Sequence, residues 1–129
     1  MKIFVTGGSG FVGQALLRHL LQQGHELGAI YRSESSRAVL QQLGLQHLVA
    51  GSLDDITHWQ QQLAGYQVVI HAAAPIELWG PWSLFQQQIV DATQQLLLAA
   101  EQQGVPRLVY LSSESVWQNT QPLLDIDES

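Results

Sequence analysis

A glycine-rich segment near the start of the chain has the residues and the spacing of a nucleotide-binding turn. Gly7, Gly10 and Gly13 match the pattern GxxGxxG. Gly8, Gly10 and Gly13 also match GxGxxG, so spacing alone leaves two kinds of dinucleotide-binding turn open. Glycine suits such turns because it adopts positive φ and lets phosphate oxygens approach backbone N–H groups, at the positive end of the following helix. A glycine-rich turn without a ligand is the alternative.

The residues at the end of the second predicted strand bear on which dinucleotide such a turn would hold. Ligands of parallel sheets bind beyond the carboxyl ends of the strands. An NAD site usually has an Asp or Glu at the end of this strand for the ribose hydroxyls, but here Tyr31 and Arg32 stand there. A basic residue suits a 2′-phosphate, so Arg32 favours NADP, with a solvated strand end as the alternative. Glu34 is near enough to reach a ribose, which leaves NAD open.

Small and hydroxyl-bearing residues follow the fourth and fifth predicted strands. Ala72, Ala73 and Ala74 leave space for a flat ligand against the backbone, or they form only a tight loop. Ser112 and Ser113 end the fifth strand, where a hydroxyl can hydrogen-bond a substrate carbonyl. Serines at such places also cap turns.

Two tryptophans and the histidines give weaker indications. Trp79 and Trp82 flank Gly80 and Pro81, where they would either wall an apolar substrate or pack as a lid on the core. The five histidines stand at no metal-ligand spacing, so no metal site is predicted.

Length and composition limit the classes of protein to which this chain can belong. A chain of 129 residues forms at most one domain. The net charge is -6 and the five basic residues are scattered, which excludes a nucleic-acid partner. There is no cysteine and no apolar run of membrane-spanning length, so we expect a cytoplasmic protein that meets a small-molecule substrate and no membrane.

Apolar patterns place the glycine turn between a strand and a helix, and strands and helices then alternate. After the opening strand KIFV, the pattern predicts strands at 26–32, 45–50, 66–71 and 107–112, and helices at 11–23, 35–43, 54–63 and 82–103. Alternation with short connections predicts an α/β fold with a doubly wound parallel sheet of the Rossmann type. The expected strand order is 3-2-1-4-5, and with about five strands the sheet is incomplete.

Four segments, in order and spacing, resemble the extended short-chain dehydrogenases/reductases, also called the NAD-dependent epimerase/dehydratase family. They are TGGSGFVG at 6–13, HAAA at 71–74, VDATQQLLLAA at 90–100 and GVPRLVYLSSESVW at 104–117. The segments ELWGPWSLF and YLSSESV and the closing DES are most similar to the 3β-hydroxysteroid dehydrogenase/isomerase-like branch. The resemblance covers essentially the whole chain. It implies that residues 1–129 are the N-terminal part of a cofactor-binding domain.

The resemblance implies hydride transfer between a nicotinamide and an apolar 3-hydroxy or 3-keto substrate, either steroid-like or a β-keto acid. Ser113 matches the family's catalytic serine, which orients the substrate oxygen. Cofactor contacts would come from Ser9, Gly10, Phe11 and Val12 at the pyrophosphate, Leu53 at the adenine, and Ala72, Ala73 and Ala74 beside the nicotinamide. Ser52 stands where the family commonly has an Asp near the adenine, which would weaken adenine recognition.

The family's general acid/base, the tyrosine of a YxxxK pair, is absent from these residues. None of the three tyrosines has a lysine four positions later, and Lys2 is the only lysine. We therefore expect the 129 residues alone to be inactive, as the cofactor-binding half of a longer enzyme or the product of a truncated gene. A non-catalytic NAD(P)-binding module is one alternative. A nucleotide-sugar epimerase or dehydratase is another, although Trp79 and Trp82 are not the polar contacts a sugar needs.

The helix predicted at 82–103 raises the question of a partner chain. In relatives, the helix at this position often contributes to a two-fold helix bundle, so a homodimer through this helix is expected. The alternative is that its apolar residues all face the sheet. An uncovered half-domain would also expose apolar surface and associate.

Overall fold

The strands form one parallel sheet in the order that the sequence predicts. The computed structural model describes residues 1–75 and 79–117, and for Glu114 and Trp117 it describes the backbone alone. Within these ranges the sheet has five strands in the order β3-β2-β1-β4-β5. The strands are β1 (Lys2–Thr6), β2 (Glu26–Tyr31), β3 (His47–Ala50), β4 (Val68–His71) and β5 (Leu108–Tyr110). The closing DES and part of the ELWGPWSLF segment lie outside the described residues.

The central strand β1 builds a separate core on each face of the sheet. Successive strand residues point to opposite faces, so Phe4 packs on one side while Ile3 and Val5 pack on the other. Both β1 and its neighbour β4 are buried on both faces, as their continuous apolar runs predict. Each fully buried aliphatic side chain contributes about 1.5–3 kcal/mol. The fold is therefore the doubly wound, Rossmann-like sheet that the sequence predicts.

Helices cover both faces. On the Val5 face lie α1 (Phe11–Gln22) and α2 (Glu34–Gln42), which bury Leu17 and Leu40. On the Phe4 face lies a long helical segment that begins as α3 (Trp82–Phe85), widens to a π-helix at Gln86–Asp91 and continues as α4 (Ala92–Gln102). The predicted helix at 82–103 is thus continuous, but its apolar spacing does not indicate the π segment.

The prediction of one helix at 54–63 was wrong. This segment contains two short 3₁₀ helices, Ile56–His58 and Gln60–Leu63, separated at Trp59 (φ -128°, ψ -3°). The physical reason lies in the core, because Ile56, Trp59 and Leu63 are all buried against Phe4 and its neighbours. The tighter 3₁₀ turns serve this short connection between β3 and β4, where tertiary packing overrides the helical pattern. A further 3₁₀ turn, Glu114–Trp117, follows β5.

Across residues 1–75 and 79–117, no helix combines the length and apolar character needed to cross a bilayer.

The two faces of α4 predict unequal effects of substitution. Leu96 is fully buried against the sheet, whereas its neighbour Leu97 is 51% exposed. We expect Leu96→Ala to lower the free energy of unfolding by about 2–5 kcal/mol, because it leaves a cavity. The matched control Leu97→Ala should change it by less than about 0.5 kcal/mol. Urea unfolding followed by circular dichroism measures both, and an equally large loss at Leu97 would contradict the burial pattern.

Candidate functional site

The glycine turn after β1 packs directly on the backbone that follows β4. Gly7 has φ 74°, and a Cβ placed there would lie 2.5 Å from the backbone nitrogen of Ala73. A Cβ on Gly13 would overlap the carbonyl oxygen of Gly7. The turn is closed by a 3.1 Å hydrogen bond from the Gly10 N–H to the Gly7 carbonyl oxygen. Side chains at Gly7 and Gly13 would therefore disrupt the turn.

This geometry separates the two glycine patterns. A Cβ on Gly8 would meet side-chain ends, at 2.8 Å from Leu17 and 3.1 Å from Leu40, which are groups that can shift. At Gly7 and Gly13 the obstacle is backbone, and Gly7 also has positive φ. The structural requirement for glycine therefore follows GxxGxxG, which begins at Gly7.

A cleft of about 470 Å³ opens beyond the carboxyl ends of the strands. Its walls come from the glycine turn, the end of β2, the loop after β3, the loop after β4 and the π segment. The predicted site residues that line it are Gly7, Ser9, Gly10, Arg32, Leu53, Ala72, Ala73 and Ala74.

The other predicted site residues do not line the cleft. Phe11 and Val12 begin α1 with side chains that are 94% and 53% exposed, and Gly13 is buried behind the turn. Ser113 follows β5, one strand beyond β4. The Ser113 hydroxyl oxygen accepts hydrogen bonds from the Ser115 N–H at 3.2 Å and the Ser115 hydroxyl at 2.8 Å.

Several lining residues were not identified from the sequence, among them Ser36, Gln88 and Ala92. Ser36 lies in the first turn of α2, and its hydroxyl accepts a hydrogen bond from the Ser33 N–H at 3.1 Å. Gln88 and Ala92 line the opposite wall, at and after the π segment. No spacing rule identifies Gln88, whereas the serine cap at the start of α2 was a usable signal for Ser36.

The end of β2 brings the guanidinium group of Arg32 to the cleft, which Asp54 also lines. Arg32 forms no ion pair with any residue in the described ranges. Glu34, the residue that left NAD open, instead lies 3.6 Å from Arg37 in an exposed ion pair. The Arg37 guanidinium in turn lies 5.8 Å from the centre of the Tyr31 ring.

A buried hydrogen-bond chain lies behind the alanine wall. The Nδ1 atom of His71 is 2.6 Å from the Thr6 hydroxyl oxygen, and its Nε2 atom is 3.2 Å from that of Thr93. His71 is 1% exposed, and burial lowers its pKa below the ordinary 6.5, so the ring is neutral at pH 7. These hydrogen bonds join the ends of β1 and β4 to α4. No group of three or more metal-ligating side chains occurs in the parts of the chain that the structure describes.

The neutral state of His71 predicts a loss of stability in acid. Since its folded pKa lies below the unfolded value of 6.5, the unfolded chain binds the proton more readily. The contribution of His71 is therefore full above pH 6.5 and decreases as the pH falls below it. We expect His71→Gln to lower the free energy of unfolding at pH 7.5 by roughly 1–3 kcal/mol. The free energy of unfolding of this variant should then fall less steeply with decreasing pH than that of the wild type.

Urea unfolding at several pH values between 7.5 and 5 measures this difference, with His19→Gln as the control at an exposed histidine. The pKa of His58 shifts in the opposite direction, because its protonated ring donates a hydrogen bond to the Asp55 carboxylate, which raises that pKa. Both variants retain that pair. If the free energy of unfolding fell equally steeply with decreasing pH in the wild type and in His71→Gln, this would contradict the neutral state assigned to His71.

Known proteins are similar to this chain in sequence and in fold. The family model described as "NAD dependent epimerase/dehydratase family" matches residues 3–129. A 4-hydroxy-2-methyl-3-oxo-4-farnesyl-3,4-dihydroquinoline-1-oxide ketoreductase of Stigmatella aurantiaca is 36% identical over 129 residues, covering 100% of this chain and 38% of the relative. A 3-beta-hydroxysteroid dehydrogenase of Mycolicibacterium neoaurum is 33% identical over 135 residues, covering 99% of this chain and 36% of the relative.

A solved structure shares the fold. The UDP-glucose-4-epimerase from Stenotrophomonas maltophila, with bound NAD and formylated UDP-arabinopyranose, matches with a TM-score of 0.83 at 24% identity, covering 100% of this chain and 41% of that chain. The present chain thus spans less than half the length of each of these proteins. Because the family model matches nearly all residues of this chain, the chain belongs to the NAD-dependent epimerase/dehydratase family.

Proposed function

We propose that residues 1–129 form the NADP-binding part of an extended short-chain oxidoreductase that acts on an apolar 3-hydroxy or 3-keto substrate. The observation that carries the proposal is the cleft, whose walls include both the glycine turn and Arg32. Bound NADPH would supply the hydride for reduction of a ketone. The residues of this chain hold and orient the two reactants.

The glycine turn suits a pyrophosphate. Gly10 precedes α1 as its N-cap and offers no side chain to the amides of the first helical turn. Those amides, which include the backbone N–H groups of Phe11 and Val12, are therefore available to phosphate oxygens. This explains how Phe11 and Val12 would serve the cofactor although their side chains point into solvent. The tight contacts at Gly7 and Gly13 keep these amides in place.

The end of β2 suits the 2′-phosphate of NADP. Arg32 lines the cleft together with Ser33 and Ser36, so one positively charged and two hydroxyl-bearing residues are available to a phosphate. The acid that could favour the free ribose hydroxyls of NAD, Glu34, is paired with Arg37. An arginine offers a phosphate two parallel hydrogen bonds, which strengthens this preference.

The far end of the cleft suits the nicotinamide and an apolar substrate. Ala72, Ala73 and Ala74 line it without bulky side chains. Trp79 and Trp82, which are 90% and 72% exposed, precede the π segment, and in this proposal their exposed apolar surface contacts the substrate. The two relatives described above are named for a farnesyl-bearing quinoline oxide and for hydroxysteroids, which are also largely apolar compounds.

In this proposal Ser113 donates a hydrogen bond to the substrate oxygen. Its hydroxyl oxygen accepts hydrogen bonds from the N–H and the hydroxyl group of Ser115. Reduction also needs a proton for the carbonyl oxygen. The YxxxK pair that would give it does not occur in the 129 residues.

Substitution of Arg32 tests the choice of cofactor. Because a guanidinium–phosphate contact would be lost, we expect Arg32→Ala to raise the Kd for NADPH about 10- to 100-fold. The Kd for NADH should change little. Arg18→Ala, at an exposed arginine on α1 whose side chain lies by Gln14, is the control. Isothermal titration calorimetry measures each Kd, and equal losses for NADPH and NADH would contradict the 2′-phosphate site.

Turnover tests the reaction and the serine together. The full-length protein should oxidise NADPH with a 3-ketosteroid or a 2-alkyl-3-keto acid. We expect Ser113→Ala to lower kcat about 10²-fold or more and to leave the Kd for NADPH unchanged. Ser112→Ala, at the neighbouring hydroxyl, should retain near wild-type kcat. NADPH binding without any turnover would support a non-catalytic module, and epimerisation of a nucleotide sugar would support the other alternative.

A further inference from the structure

We propose that Trp59 is a positioning residue that fixes the loop after β3 as the adenine-binding wall of the cleft. The loop consists of residues 51–54, all of which line the cleft. Trp59 lies behind it and is not a lining residue in the described part of the chain. The inference rests on the proposed function, because it assigns this wall to the adenine of the cofactor.

The indole of Trp59 connects the loop to the central strand. Its Nε1–H donates a 2.8 Å hydrogen bond to the backbone carbonyl oxygen of Ser52. Its ring stacks on Phe4 of β1, with 5.7 Å between ring centroids and an interplanar angle of 22°. Trp59 is 3% exposed and Phe4 is fully buried, so the indole has one well-packed position. The carbonyl of Ser52 is held at a distance set by that packing.

The backbone of Gly51 lies against the same ring. A Cβ on Gly51 would be 2.5 Å from Cδ1 of Trp59 and 3.0 Å from its Nε1. The Gly51 N–H meanwhile donates a 3.0 Å hydrogen bond to the carbonyl oxygen of Tyr31 at the end of β2. The indole and β2 therefore hold the start of the loop from two sides. Leu53, in this loop, lines the same cleft as Arg32 at the end of the neighbouring strand β2.

The loop's remaining hydrogen bonds are local and exposed. The Ser52 hydroxyl donates to the Asp54 carboxylate at 3.1 Å and accepts from the Asp54 N–H at 3.2 Å. The Asp55 N–H approaches the Ser52 carbonyl oxygen at 3.4 Å, the same atom that accepts from Trp59. These hydrogen bonds shape the turn without tying it to the core, so apart from the indole the loop reaches the core through the partly buried side chain of Leu53. Loss of the indole N–H should therefore loosen the loop while leaving its local turn intact.

Trp59→Phe removes the N–H and keeps an aromatic ring beside Phe4. We expect the Kd for 2′,5′-ADP, which carries the adenine half of NADP, to rise about 3- to 10-fold. The Kd for nicotinamide mononucleotide, which reaches only the other half, should not change. Tyr66→Phe is the matched control, because Tyr66 also packs edge-on to Phe4, at 5.2 Å, and its hydroxyl lies beside Gly28 away from the cleft. It should change neither Kd.

Amide hydrogen exchange without ligand separates this inference from the proposed function. In Trp59→Phe the amides of Gly51 and Asp55 should exchange faster, while those of α4 keep wild-type rates. If the wild type binds neither nucleotide, the proposed function fails, and faster exchange at Gly51 and Asp55 still supports the positioning role. Unchanged exchange there overturns it. Equal weakening of both nucleotides, with faster exchange throughout, also overturns it, because Trp59 would then serve only the core.

Discussion

The close approach of the glycine turn to the backbone after β4 is the constraint on which the site depends. Gly7 lies so near Ala73 that no side chain fits between them. This contact determines where the first turn of α1 points, and hence where its unpaired amides lie. It also determines that the alanines face the same cleft as the turn. Two adjacent strands of the sheet thus contribute to one wall without any side chain between them.

The sheet holds this contact in place through buried polar groups as well as apolar packing. Thr6, the last residue of β1, pairs in register with His71, the last residue of β4. Their side chains are hydrogen-bonded at 2.6 Å, and His71 continues to Thr93 on α4. A hydrogen-bonded chain with both ring nitrogens satisfied costs little to bury, whereas an unpaired one would be expensive. The ends of both strands are therefore fixed relative to each other directly below the cleft.

The sequence predicts the sheet well because its signals are local. Continuous apolar runs such as that ending at His71 identify buried parallel strands, and glycine spacing identifies the turn. The same reasoning could not choose between Gly7 and Gly8 as the start of the pattern, because the choice depends on contacts with residues more than 60 positions away. It also failed at 54–63, where the packing of Trp59 outweighs helical periodicity. Gln88 was missed for a related reason, since a π segment leaves no pattern in the order of polar and apolar residues.

The π segment has a consequence for how the two ends of the long helix are related. A turn of π-helix closes its hydrogen bonds over five residues instead of four, so it holds one residue more than the α-helix it interrupts. One residue corresponds to about 100° of rotation around the axis. The azimuth of Trp82 and Phe85 is therefore offset from that of Leu96 and Ala100, which pack on the sheet. The length of Gln86–Asp91 therefore sets how far Trp82 and Phe85 are rotated around the helix axis relative to α4. An insertion or deletion in this segment would change that rotation and leave the packing of α4 on the sheet unchanged.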